Sequence, residues 1–228
     1  MADHASRPAA QPEARTALNE ARDADALEAG RVLFAGECRF TAAAGERARI
    51  PPGAAPEIAF AGRSNVGKSS LLNALTGRHA LARVSVTPGR TRELIFFDLG
   101  GRLTLVDMPG YGYAKAPRTL AREWQGLMLA YLRGRANLRR VLLLLDARLA
   151  PKPADEAVMA ILDAAAVTFQ LVLTKADALG QAPLAARIEA LARVARAHTA
   201  AHPDVLATSS RTGAGIAGLR AELAPLAA

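Results

Sequence analysis

"FAGRSNVGKSSLLNAL", Phe60 to Leu75, matches the pattern G-x-x-x-x-G-K-[ST] at Gly62, Gly67, Lys68 and Ser69. The apolar run Glu57–Ala61 before it reads as a strand, and Lys68–Thr76 after it reads as a helix. In that setting the glycines let successive backbone N–H groups turn toward phosphates, and the helix N-terminus adds favourable partial charge. Lys68 reaches the terminal phosphates, and the Ser69 hydroxyl suits Mg²⁺. A bare glycine-rich turn is the alternative. Taken alone, the pattern leaves ATPases, kinases and GTPases open.

Outward from this stretch, short apolar runs alternate with amphipathic ones. Strands are expected at Glu57–Ala61, Glu93–Leu99, Arg102–Asp107, Arg140–Asp146, Phe169–Thr174 and Asp204–Ser209. Helices are expected at Lys68–Thr76, Thr119–Arg133, Ala154–Ala165, Ala182–Ala197 and Gly215–Leu226. Runs such as "VLLLLD", apolar on successive residues, suit strands covered on both faces. The order predicts an α/β fold, a three-layer sandwich with a mostly parallel sheet and helices on both faces. Gly100-Gly101 joins two of the runs as a hairpin, which adds one antiparallel edge strand. Residues 1–30, rich in Ala, Glu, Asp and Arg, read as a mobile tail with helical character from Thr16 to Leu33. The domain proper is expected over residues 31–228, with its motifs within 57–210.

The chain of 228 residues carries a formal net charge of +8. From Arg78 to Arg140 there are twelve Lys/Arg against four Asp/Glu, so the whole excess sits there. That block suits a polyanion such as RNA, with the bound nucleotide or solubility as the alternative uses. Tyr111, Tyr113 and Trp124 fall in the same block. For Arg133, Arg135, Arg139 and Arg140, an RNA contact and a solvated face both remain open. The helical spacing of Trp124 from Leu120 and Leu127 favours the core. No run of 18 apolar residues and no signal-like start occurs, and the single Cys38 has no partner for a disulfide. A cytoplasmic protein with no membrane contact is expected. His198 and His202 lack a third ligand nearby, which argues against a metal site of their own.

Three more motifs narrow the nucleotide. "DMPG" (Asp107, Met108, Pro109, Gly110) follows the second hairpin strand as D-x-x-G, where the aspartate holds magnesium through water and the Gly110 N–H senses a γ-phosphate. "TKAD" (Thr174, Lys175, Ala176, Asp177) ends an apolar strand at the crevice edge of the sheet. The Asp177 carboxylate can accept both N1–H and the exocyclic amine of guanine, a donor pair that adenine lacks. The Lys175 stem would cover the base. "TSS" (Thr208, Ser209, Ser210) either offers a backbone N–H to the guanine O6 or caps the last helix.

Together with "TPGRT" (Thr87–Thr91), these motifs resemble the five signatures of translation-factor-related GTPases in order and spacing. "AGRSNVGKSSLLNAL", "TPGRTRELIFF", "DMPGYGYAK" and "LTKAD" resemble more narrowly the EngB (YsxC/YihA) family of ribosome-assembly GTPases, over about residues 30–228. The resemblance implies GTP contacts from Gly62, Arg63, Ser64, Asn65, Val66, Gly67, Lys68 and Ser69, and from a first switch of Gly89, Arg90, Thr91, Arg92 and Glu93. It carries the same expectation to Asp107–Gly110, Thr174–Asp177 and Thr208–Ser210. It also implies direct Mg²⁺ ligation by Ser69 and Thr91, catalytic parts for Lys68, Thr91 and Gly110, and a monomer acting on the 50S subunit, its precursors and rRNA. A need for it in cell division and septation is implied too. The switches are expected over Arg78–Glu93 and Asp107–Arg118.

Two departures bear on mechanism. Thr174 stands where most GTPases have asparagine, so one side-chain amide contact to the phosphate loop is expected to be lost. Tyr111 stands where Ras-like proteins orient water with glutamine, so intrinsic hydrolysis is expected to be slow. Asn65 is then a candidate K⁺ ligand by likeness to potassium-stimulated GTPases, or simply a loop residue bonded to its own backbone. The rival to a switch enzyme is a nucleotide-gated RNA-binding assembly factor whose hydrolysis serves only release.

Overall fold

The computed structural model describes residues 12–78, 81, 93–112 and 126–227, with side chains from residue 23 onward. Its elements run α1 (Pro12–Ala35), β1 (Cys38–Ala44), β2 (Glu57–Gly62), α2 (Lys68–Thr76), β3 (Leu94–Leu99) and β4 (Leu103–Asp107). There follow α3, described over residues 126–132, then β5 (Leu138–Asp146), α4 (Pro153–Ala164), β6 (Phe169–Thr174), α5 (Gln181–Arg196), β7 (Leu206–Ala207) and α6 (Ile216–Leu223).

The seven strands form one sheet in the order β1-β3-β4-β2-β5-β6-β7. β2 lies between β4 and β5 and is parallel to both. The chain passes from β4 to β5 across β2, so the strand order reverses there, and ligands of such sheets sit beyond the carboxyl ends at that point. Every residue of β2 and β6 is buried, as unbroken apolar strands under two helical layers require. One layer packs Leu33, Phe34, Leu71, Leu75 and Leu219 on the sheet, and the other packs Met128, Tyr131, Met159, Leu162 and Leu191. Leu127 is buried as well, while Leu120 and Trp124 lie outside the described residues.

The antiparallel strand of the expected hairpin is β3, paired with β4 from Ile95↔Asp107 to Leu99↔Leu103. It does not form the edge. β1, absent from the sequence reading, pairs antiparallel outside it from Cys38↔Leu99 to Ala44↔Leu94, with a bulge at Thr41 whose hydroxyl donates to the Phe96 carbonyl at 3.1 Å. β7 is shorter than the expected Asp204–Ser209 strand because only Leu206 and Ala207 pair with β6.

The boundary expected at residue 30 falls inside a helix. α1 continues from Pro12 to Ala35, and its last turns dock on α6, with Leu33 and Phe34 buried. Arg220 of α6 spreads over the Phe34 ring at 6.0 Å and donates to the carbonyls of Ala74 and Leu75, the last turn of α2. One guanidinium therefore ties three helices together.

Two of the arginines left open for RNA are engaged internally. Arg135 makes a two-pronged bond to the buried Glu57 carboxylate (Nε–Oε2 3.0 Å, Nη2–Oε1 2.6 Å) and donates to the Pro51 carbonyl at 2.7 Å. Tyr131 donates to the same carboxylate at 2.9 Å, and the Arg135 guanidinium lies over the rings of Phe96 and Tyr131. Arg140 is buried and bonds Gln170 and Glu222 at 2.8 and 2.6 Å. Both pairs offset the cost of dehydrating a guanidinium, which an exposed RNA contact would not need. Arg133 and Arg139 are exposed.

Candidate nucleotide site

β2 ends at Gly62 and the chain turns through Arg63–Gly67 into α2. Asn65 and Gly67 take left-handed backbone angles, with φ of 64° and 107°. Such alternation turns successive N–H groups toward one point, and at Gly67 a side chain would be strained. The N–H groups of Lys68 and Ser69, in the first turn of α2, have no acceptor within the helix. This concavity of donors at a helix N-terminus is suited to phosphate.

Beyond β4 the segment Asp107–Tyr111 runs on beside this loop as an extension of the parallel ladder. The Met108 N–H donates to the Phe60 carbonyl at 3.0 Å and the Tyr111 N–H to the Gly62 carbonyl at 3.3 Å, while the Tyr111 carbonyl accepts from Ser64 at 3.1 Å. A β-carbon on Gly110 would lie 3.1–3.3 Å from Ser64 atoms, so a side chain there would have to push Ser64 aside. Lys68 Nζ donates to Asp107 Oδ1, and both side chains are nearly buried, 10% and 6% exposed. Burial pushes the Asp107 carboxyl above its ordinary value, and the Lys68 charge opposes that rise.

The base side is assembled at the ends of β6 and β7. Thr174 Oγ1 donates to the Val66 carbonyl at 2.6 Å, with the Leu145 carbonyl at 3.2 Å. The contact expected to be lost with asparagine is thus replaced by a hydroxyl bond to the same loop. Lys175, at φ 56°, donates to the Asn65 carbonyl at 2.8 Å and to Asp146 Oδ2 at 2.9 Å. The Ala176 N–H bonds the Thr208 carbonyl at 3.0 Å and so joins the two loops. Asp177 accepts from Ser209 Oγ at 2.5 Å and from Arg211 Nε at 2.8 Å. The Ser209 hydroxyl, then Arg211, holds its carboxyl below the ordinary value. An ionised acceptor with spare lone pairs is the result. Of the "TSS" backbone donors, Thr208 bonds Leu173 and Ser209 bonds Ala214. The Ser210 N–H has no backbone acceptor among the described residues.

Asp146, Arg148 and Arg211 escaped the sequence reading. Arg148 grips Asp146 with Nε–Oδ1 at 2.9 Å and Nη2–Oδ2 at 2.7 Å, and with Lys175 it holds that carboxylate far below its usual range. A charged residue ending the apolar run of β5 was the available signal. A cavity of about 240 Å³ opens between Arg63–Val66, Asp146, Arg148–Pro151, Asp155 and Lys175.

Tyr111 is turned inward. Its ring belongs to the core, 6% exposed, and its hydroxyl donates to Asp155 Oδ1 at 2.9 Å. Burial and the Asp155 charge raise the phenol far above its ordinary value. Gly89, Arg90, Thr91 and Arg92 lie outside the described residues, and Glu93 is exposed beside Gly45. No group of three or more His, Cys, Asp or Glu side chains able to hold a metal occurs among the described residues, and His198 bonds Asp163 instead. None of the described helices is long and apolar enough to cross a membrane.

Residues 57–175 match a family model described as "50S ribosome-binding GTPase". The chain is 62% identical over 204 residues to "Probable GTP-binding protein EngB" of Granulibacter bethesdensis, covering 90% of this chain and 92% of that one. It is 57% identical to the protein of the same name from Gluconobacter oxydans, covering 88% of each. Among solved structures, a crystal structure of a probable GTP-binding protein EngB superposes with a TM-score of 0.63 at 24% identity, over 75% of this chain and 98% of that one. Era of Aquifex aeolicus, bound to GDP·AlF4⁻, gives a TM-score of 0.60 at 22% identity, over 75% of this chain and 56% of that one. The last two share the fold. The identities, extending over about nine-tenths of both partners, place this chain in the EngB family of GTP-binding proteins, which are P-loop GTPases.

Proposed function

We propose that this chain is a cytoplasmic, monomeric GTP/GDP switch in assembly of the large (50S) ribosomal subunit, with slow hydrolysis of its own. The observation that carries the nucleotide reading is the pair of bonds joining base side to phosphate side, Lys175 to Asn65 and Thr174 to Val66, with an ionised Asp177 two residues beyond. Gly62–Ser69 would hold the phosphates, with Lys68 leaving Asp107 for the nucleotide. Asp177 and Ser210 would read the guanine edge. The ribosomal role is supported by the description of the matching family and by the basic central segment. Septation then depends on this protein through the supply of ribosomes.

Ser69 and Asp107 offer hard oxygen donors beside the phosphate loop, a donor set that fits Mg²⁺. Ser69 and Thr91 would ligate it directly and Asp107 through water, and the ion would offset phosphate charge. Tyr111 is committed to Asp155, so the attacking water is oriented by something else. That same commitment favours the second reading, in which hydrolysis serves only release. K⁺ held by Asn65, or the ribosomal partner, completes the site in the first reading. Faster turnover in K⁺ than in Na⁺ is expected, and equal rates would remove Asn65 from this part.

Two measurements test the proposal. Asp177→Asn should weaken GTP by more than tenfold without weakening binding of the phosphates alone; unchanged GTP affinity would overturn the base assignment. Co-sedimentation with 50S particles should differ between GDP and a non-hydrolysable GTP analogue, and binding indifferent to nucleotide would overturn the switch. Strong stimulation of turnover by the particles selects the enzyme reading over the release reading.

A further inference from the structure

Among the polar connections of the core that nucleotide binding does not use, one joins Tyr111 to the start of α4. We propose that Tyr111 is a positioning residue, which clamps the segment carrying Gly110 against the phosphate loop and passes its state to α4 through Asp155. The inference rests on the reading of Asp107–Gly110 as the γ-phosphate sensor.

The clamp has two parts. Three main-chain bonds, from Met108 to Phe60, from Tyr111 to Gly62 and from Ser64 to Tyr111, hold residues 108–111 as an added rung of the sheet. The ring then anchors the rung, because Tyr111 is buried among the apolar side chains that also surround Tyr131 and Met159. Gly110 packs on Ser64 between these anchors, so its backbone is held against the phosphate loop. Preorganisation of this sort raises the share of binding energy that one hydrogen bond to a γ-phosphate delivers.

The outward connection is equally specific. Asp155 is almost fully buried and is the third residue of α4. Its Oδ1 accepts the Tyr111 hydroxyl at 2.9 Å, and its Oδ2 accepts the Lys152 N–H at 2.8 Å, which caps the helix. A buried carboxyl group whose two oxygens are committed to different elements transmits displacement, since loss of either bond leaves a buried acceptor unsatisfied. The loop before α4, Arg148–Pro151, walls the cavity beside the phosphate loop and so has space to shift. Arg148 on that loop is also the partner of Asp146, which holds Lys175. The route therefore runs from phosphate sensor to base side within one contiguous network.

Tyr111→Phe removes the hydroxyl while keeping the ring in the core. Dissociation constants for fluorescent GDP and a non-hydrolysable GTP analogue, and hydrogen exchange over residues 147–158, are measured in both proteins. GDP affinity should stay within about twofold, and analogue affinity should fall about tenfold, the scale of one bond to a charged group. Wild-type residues 147–158 should exchange more slowly with the analogue than with GDP, and this difference should vanish in Tyr111→Phe. An unchanged ratio of the two affinities, or no nucleotide dependence over 147–158 in the wild type, would overturn the proposal. Failure of wild-type protein to bind either guanine nucleotide would overturn the switch reading beneath it.

Discussion

Strand β2 has a buried ion pair at each end, and the two are built differently. At its start, Glu57 receives both prongs of Arg135 and the Tyr131 hydroxyl, and Arg135 spends a further N–H on Pro51. At the other end, beyond Gly62, Lys68 meets a single oxygen of Asp107. The first pair uses nearly all its bonding capacity within the protein. Among the described residues the second uses one ammonium proton and one carboxylate oxygen, and burial already disfavours the Asp107 charge. A saturated pair holds the fold, and the less saturated one lies at the carboxyl edge of a parallel sheet, where such sheets bind their ligands.

The contrast can be broken most forcefully at Glu57. Glu57→Ala strands the Arg135 guanidinium and should cost about 3–5 kcal/mol of stability, read from denaturant unfolding, while folded protein keeps its GTP affinity within about twofold. A large affinity loss there would show that both pairs serve the site. Lys68→Ala is the opposite case, and should weaken GTP about 100-fold, as expected for losing charge-assisted bonds to two phosphates. It also carries a pH signature. The Asp107 carboxyl titrates higher folded than unfolded, so the folded state holds the extra proton and stability falls as pH rises from about 4 through the raised value. Without Lys68 to oppose that rise, the melting-temperature deficit against wild type should be larger at pH 8 than at pH 5. An equal deficit at both values would mean that Asp107 is not unpaired by the change. The smallest effect is expected at Thr174→Val, which keeps the shape and removes the bond to the Val66 carbonyl. A loss of about 1 kcal/mol and GTP binding weaker by about fivefold should result. No change in affinity would reduce that hydroxyl to local support.

The legible parts of this protein are those in which chemistry demands a residue type at a set spacing. Gly62–Ser69, Asp107–Gly110 and Thr174–Asp177, singled out by spacing, lie beside one another, and β5 and β6 were readable because burial on both faces favours long apolar runs. β1 was not readable. "CRFTAAA" has few large apolar side chains, and its strand identity comes from pairing with β3, from Cys38↔Leu99 to Ala44↔Leu94, far along the chain. Counting charge could not say which arginines face solvent, because Arg135 and Arg140 are claimed by carboxylates remote in sequence, Glu57 and Glu222. Thr174 looked like a lost contact when compared by side-chain type, yet its hydroxyl reaches the same loop by a shorter path.

The left-handed backbone at Asn65 decides how that residue can be interrogated. Alanine scanning assumes that a truncated side chain leaves the main chain indifferent, and at φ 64° that assumption fails, since alanine adds about 1 kcal/mol of strain to the loop. Asn65→Gly removes the amide and relaxes the backbone in the same step. Asn65→Gly is therefore the informative deletion here, and a potassium effect lost in Asn65→Ala but kept in Asn65→Gly would belong to the shape of the loop and not to its amide.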